Sequence, residues 1–207
     1  MNLANKLTVL RVLLVPIFII LVIIDSFWAN IFALFVFIGA SITDYYDGVI
    51  ARKQNMITTL GIFLDPLADK LLVTSAFILF VGIYTLNVPA WMVICIISRE
   101  FIITGLRSIA ASKNIIIPAN MAGKVKTTSQ MIAIITILVI LVVNSGITKF
   151  YYITPYELLE ATGWQHFAGL ILIHAPYWLM LIATIFTLYS GISYLILHKS
   201  IFSEQSK

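Results

Sequence analysis

Four aspartates and three basic residues crowd the stretch DYYDGVIARKQNMITTLGIFLDPLADK, residues 44–70, in a chain that is otherwise strongly apolar. Asp44 and Asp47 are three apart, and Asp65 and Asp69 are four apart. Each pair shares one face if its segment is helical. Gly48 and Gly61 leave room for a ligand to come close to the backbone, and Pro66 suits a first helical turn, which puts Asp65 near an N-cap. Ionised side chains deep in a bilayer cost roughly 2.5–3.5 kcal/mol each, so four bare carboxylates would cost on the order of 10 kcal/mol there. Their mutual repulsion also demands counter-charge. Arg52, Lys53 and Lys70 could supply some of it as a structural ion-pair knot. Hard oxygen ligands in this number fit divalent cations better, Mg²⁺ or Mn²⁺. Two such ions could clamp a diphosphate and stabilise both the attacking and the leaving oxygen of a displacement.

A second group of polar residues lies in SREFIITGLRSIAASKNIIIPANMAGKVKTTSQM, residues 98–131. Arg99, Arg107, Lys124 and Lys126 sit in or beside apolar runs, with the hydroxyls of Thr127 and Thr128 next to them. Ionisable residues inside a span normally face the bundle interior or a wet cavity. One reading of the lysines is anchoring at a membrane surface. The other is a pocket for an anion such as a phosphate ester, formed by Arg107, Lys124 and Lys126.

The elements that position these groups follow from composition. Of 207 residues 61% are hydrophobic and 11% charged, with a mean hydropathy of +1.04. A soluble domain has about 45–50% apolar and about 25% charged residues, so the chain reads as an all-α integral membrane protein. Spanning helices need about 20 apolar residues, and six stretches are expected to supply them, near 8–25, 27–44, 66–86, 88–107, 128–146 and 176–197. Pro176 marks FAGLILIHA as a possible interfacial or broken segment before the last span. No linker divides the chain, so residues 1–207 read as one domain. No 20–50-residue repeat is visible. The first apolar run is too long for a signal peptide. Cys95 is the sole cysteine and cannot form an internal disulfide.

With six spans both termini share a face, and that face carries Lys6, Arg52, Lys53, Lys113, Lys124, Lys126, Lys199 and Lys207. The opposite loops hold Lys149 beside Glu157 and Glu160. By the positive-inside rule the aspartate window faces the cytoplasm. The net charge of +4 is accounted for by such loops, without a nucleic-acid surface. Lys6 and Arg11 suggest an interfacial turn before the first span, with either an anchoring or a substrate role.

The pattern Asp44-x2-Asp47-Gly48-x2-Ala51-Arg52-x8-Gly61-x3-Asp65-x3-Asp69 resembles the signature of the CDP-alcohol phosphatidyltransferases. The resemblance implies a six-helix membrane fold of the CDP-alcohol phosphatidyltransferase type, usually dimeric, in the cytoplasmic membrane with its site on the cytoplasmic side. It implies that Asp44, Asp47, Asp65 and Asp69 hold divalent metal, with Asp69 also the general base. Asn5, Arg11, Gly48, Ala51, Arg52 and Gly61 would serve the CDP-linked lipid. The stretches REFIITGLR and GKVKTTSQM, with the opening Asn5 to Arg11, are similar to the bacterial subgroup whose substrates are CDP-diacylglycerol and sn-glycerol 3-phosphate. Ala4 departs from the proline common there, and residues 149–167 match nothing in it. A sibling transferase with another acceptor, of the cardiolipin or inositol-phosphate type, is the alternative. A divalent-cation transporter would require acidic residues on several spans and paired interrupted helices, and neither is visible.

Overall fold

The computed structural model describes residues 3–54, 59–112 and 121–197, and the side chains of 9–43, 70–112 and 121–197. Among the described residues every regular element is helical: Leu3–Ile24 (α1), Phe27–Gln54 (α2), Thr59–Gly82 (α3), Ala90–Ser112 (α4), Met121–Tyr151 (α5), Pro155–Glu160 (α6) and Trp164–Leu197 (α7), with a single 3-10 turn at Tyr84–Leu86. Long apolar runs explain the choice. In hydrocarbon, a helix satisfies its backbone polar groups within its own segment.

α1 packs on α2 and α3, α5 on α2 and α7, and α4 on α7 and α3. Buried positions recur at helical spacing, as in Val15, Phe18 and Val22 on α1 and Ala33, Phe37 and Ala40 on α2. The rings of Phe18 and Phe37 meet at 5.7 Å between centroids. Alanines along the buried stripe of α2 allow the close backbone approach typical of helices packed in lipid. The outward faces are apolar too: Leu13, Phe35, Ile94, Phe101, Ile171 and Ile185 are all exposed. A rind of large hydrocarbons around an apolar core is the surface of a membrane protein. Helices α5 and α7 are long and apolar enough to cross a bilayer, and Val9–Ile24, Phe27–Thr43 and Lys70–Gly82 form shorter apolar stretches.

Several boundaries differ from the sequence reading. α2 continues ten residues past the expected end near 44, so positions 44, 47, 48 and 51 form one helical stripe. α3 begins at Thr59 rather than near 66. Asp65 is therefore inside the helix and not at its N-cap: the apolar run before Pro66 joins the helix, because in hydrocarbon a segment meets its backbone polar groups internally, and this outweighs the hydrogen bond forfeited at the proline. Pro176 does not break the last segment. α7 runs unbroken from Trp164, since Leu172, Ile173 and Pro176 are all buried on its packed face and packing outweighs the one hydrogen bond forfeited. Arg11 lies within α1, not in an interfacial turn, and is 2% exposed; its side chain does not snorkel to a surface.

The stretch 149–167 holds a capped turn. Thr154 and Glu157 form a reciprocal capping box, with Thr154 N donating to Glu157 Oε2 at 3.0 Å and Glu157 N to Thr154 Oγ1 at 3.3 Å. α6 then packs on α7. At this end of the bundle Asn30 Nδ2 donates to Asp25 Oδ1 (3.0 Å) and Ser145 Oγ (3.2 Å), and Lys149 lies over the rings of Phe27, Trp28 and Phe150.

Gly169 is where α6 approaches most closely. A Cβ there would lie 3.0 Å from Leu158 Cβ and 3.0 Å from the Leu159 backbone nitrogen. Gly169→Ala should lower the thermal midpoint in detergent, because overpacking typically costs about 1–3 kcal/mol against about 1 kcal/mol gained in helix propensity. Gly39→Ala, which meets nothing within 4 Å, should be neutral or stabilising. Equal midpoints for the two variants would show that α6 yields freely.

Candidate functional site

A cavity of about 660 Å³ opens among α3, α4 and α5, at the end of the bundle away from Lys149. Each wall is a helical stripe. α3 contributes Lys70, Thr74 and Phe77, and α4 contributes Ile96, Arg99, Glu100, Ile103, Thr104 and Arg107. From α5 come Gly123, Lys124, Lys126, Thr127, Gln130 and Met131. These spacings of three and four place the polar groups on one side of each helix. Arg107, Lys124 and Lys126, the three residues expected to bind an anion, are thus brought to one cavity.

Among the described residues, five basic side chains and one carboxylate, Glu100, line the space. An excess of cations between low-dielectric walls focuses a positive potential and attracts an anion. The cations are held in different ways. Arg99 donates from Nη2 to Ser190 Oγ at 2.8 Å and pairs with Glu100 at 3.5 Å. Gly191 makes room for it, since a Cβ there would lie 3.0 Å from Arg99 Cγ. Lys126, 7% exposed, is ion-paired with Glu100. Lys70 donates to Thr104 Oγ1. The guanidinium of Arg107 stacks over Tyr194 at 5.6 Å, a contact that leaves its in-plane N–H donors directed elsewhere.

α7 supplies the backing. Ser190, Thr187 and Tyr194 lie on its buried stripe. Gln130 Nε2 donates to Thr187 Oγ1 at 3.0 Å, and Thr187 Oγ1 donates in turn to Ala183 O at 2.6 Å. Arg99 is therefore a strut between α4 and α7 as well as a wall of the cavity.

The side chains of Asp44, Asp47, Gly48, Ala51, Arg52, Gly61, Asp65 and Asp69, and of Asn5, lie outside the described residues. The backbone places 44, 47, 48 and 51 on one stripe of α2, and 61, 65 and 69 on one stripe of α3. Lys70, the residue after Asp69, lines the cavity. Arg11 is not among the lining residues. From sequence alone Lys70 has only a neutralising role and Thr104 and Gln130 are not marked as wall residues, whereas Arg99 and Glu100, expected to face the interior or a wet cavity, do line it. The signal was available in the i, i+3, i+4 series 96, 99, 100, 103, 104, 107.

A family model for CDP-alcohol phosphatidyltransferases matches residues 1–189. The chain is similar to the CDP-diacylglycerol–glycerol-3-phosphate 3-phosphatidyltransferase of Bacillus subtilis strain 168, with 46% identity over 149 residues, 66% of this chain and 76% of the relative. The protein of the same description from Rickettsia typhi is 39% identical over 146 residues, 70% of this chain and 80% of its own length. That from Salmonella paratyphi A is 32% identical over 200 residues, 94% of this chain and 93% of the relative.

Proposed function

The chain belongs to the CDP-alcohol phosphatidyltransferase family, and on that premise we propose that it transfers the phosphatidyl group of CDP-diacylglycerol to sn-glycerol 3-phosphate. The products are phosphatidylglycerophosphate and CMP. One observation carries the choice of acceptor: the cavity beside the aspartate window is lined by Lys70, Arg99, Arg107, Lys124 and Lys126. A neutral alcohol would leave this charge without a counterpart, whereas a phosphate monoester matches it.

In this reading the oxygen of the acceptor's 1-hydroxyl forms a bond to the phosphatidyl phosphorus as the bond to CMP breaks. Asp69 accepts the hydroxyl proton. Arg107, Lys124 and Lys126 hold the acceptor phosphate, and Asn5, Arg11, Arg52 and the small residues Gly48, Ala51 and Gly61 serve the CDP lipid. The donor set fits a divalent metal centre: Asp44 and Asp47 share a stripe of one helix, Asp65 and Asp69 a stripe of the next, and all offer hard oxygen ligands. Mg²⁺ or Mn²⁺, two ions in this reading, would neutralise charge developing on the diphosphate when bound.

The reading extends to topology. α1, α2, α3, α4, α5 and α7 are six spans of a single domain over residues 1–207, and α6 is a short helix at the far surface. Lys70, Arg107, Lys124 and Lys126 line the cavity at one end, and Lys149 lies at the other. That asymmetry supports a multi-pass protein of the cytoplasmic membrane with its site inside. A homodimer completes the reading, on the family resemblance alone.

Three outcomes follow. Steady-state kinetics should show Arg107→Gln and Lys124→Gln raising KM for glycerol 3-phosphate about ten- to hundredfold, as expected for a lost charge-assisted hydrogen bond. KM for CDP-diacylglycerol should move little; a selective loss of affinity for that lipid instead would remove the acceptor pocket. Asp65→Asn, or chelation of the native protein, should nearly abolish CMP release, and retention of most of the rate would refute the metal centre. In a Cys95→Ala background, Gln54→Cys and Tyr156→Cys should label from opposite sides of sealed vesicles. Labelling from one side would contradict six spans.

A further inference from the structure

We propose that Glu100 is a positioning residue, whose carboxylate pins the ammonium of Lys126 across the cavity so that the positive charge is in place before the acceptor arrives. The inference rests on the reading of this cavity as the acceptor site. A carboxylate in an anion pocket is at first sight misplaced, since it weakens the potential that draws the substrate in. Its contacts explain it. Glu100 on α4 pairs with Lys126 on α5, and Arg99, its neighbour in the chain, reaches Ser190 on α7. α4 and α5 lean on α7 rather than on each other. The Glu100–Lys126 pair therefore joins two walls that backbone packing leaves apart.

The chemistry of lysine makes such a clasp useful. Its stem has four rotatable carbons and its head is a point charge without the fixed fork of arginine. An untethered lysine loses rotamer freedom when it binds, and holding it in the bound geometry beforehand spares that loss. An ammonium carries three donors, so pairing with a carboxylate and with a phosphate oxygen is compatible. Glu100 thus acts through Lys126 and needs no contact with the substrate. Arg99 has the opposite character: Ser190, Glu100 and the space above Gly191 fix it as part of the scaffold.

A double-mutant cycle tests the assignment. Glu100→Gln should raise KM for glycerol 3-phosphate about three- to tenfold, the range expected for ordering one long side chain at each binding event. KM for CDP-diacylglycerol should stay within about twofold, which a general loss of packing would not permit. In a Lys126→Met background the same substitution should add almost nothing, because the residue it positions is gone. Glu100→Asp, which keeps the charge, should fall between the native protein and Glu100→Gln, and it serves as the readout if the glutamine variant does not fold. An unchanged or lower acceptor KM in Glu100→Gln would overturn the proposal by showing the carboxylate to be neutral or a competitor for Lys126. Additive effects of Glu100→Gln and Lys126→Met would overturn it equally. If a different alcohol proves to be the one turned over, the acceptor assignment fails by itself, and the cycle run on that alcohol still decides the role of Glu100.

Discussion

Helices that present hydrocarbon on both faces give a charged side chain few places to go, and the buried Lys126 with the half-buried Arg99 and Lys70 set the terms for what surrounds them, while Arg107 and Lys124 stand exposed at the cavity mouth. Each buried charge needs a partner, because removing an ion from water without one costs several kcal/mol. The partners are visible. Glu100 serves Lys126 and Arg99, Ser190 receives Arg99, Thr104 receives Lys70, and the face of Tyr194 receives Arg107. Arrangements of this kind are retained for function more readily than for stability, since apolar replacements of buried ion pairs are often neutral or stabilising.

α7 makes the arrangement possible. Its buried stripe alternates hydrocarbon with Thr184, Thr187, Ser190 and Gly191. Hydroxyls of Thr184 and Thr187 return to their own helix, donating to Met180 O at 2.7 Å and Ala183 O at 2.6 Å, so they bring polarity into the core without leaving donors unmet. The helix lies against both α4 and α5. The cavity can stay open between those two because a third element carries their packing. In the proposed reading, basic walls beside a window of aspartates would place attraction for an anionic acceptor next to carboxylates suited to divalent cations, the pairing that joining two phosphate-bearing substrates requires.

Much of this was legible in the residues. The all-α class, long apolar helices and the grouping of Arg107 with Lys124 and Lys126 at one cavity follow from hydropathy and charge placement. Boundaries were harder. Apolarity alone cannot mark where a helix leaves the bilayer, so α2 and α3 extend past the expected edges into the polar window. Pro176 reads locally as a break, and only the burial of Leu172 and Ile173 on its N-terminal side shows why α7 continues. The capping box Thr154-Pro-Tyr-Glu157 was readable as a helix start, and the stretch around it, which carries no recognised motif, nonetheless falls within the family match to residue 189. The partnership of Glu100 with Lys126 joins positions in different helices, and no local pattern announces it.

The most direct test of the account gives purified protein CDP-diacylglycerol and Mg²⁺ with glycerol 3-phosphate, glycerol, inositol or serine at equal concentration, and follows CMP release for each. Release with glycerol 3-phosphate alone, matched mole for mole by phosphatidylglycerophosphate, is the predicted result. Comparable release with a neutral alcohol would contradict the account, because the basic cavity would then have no part in choosing the acceptor.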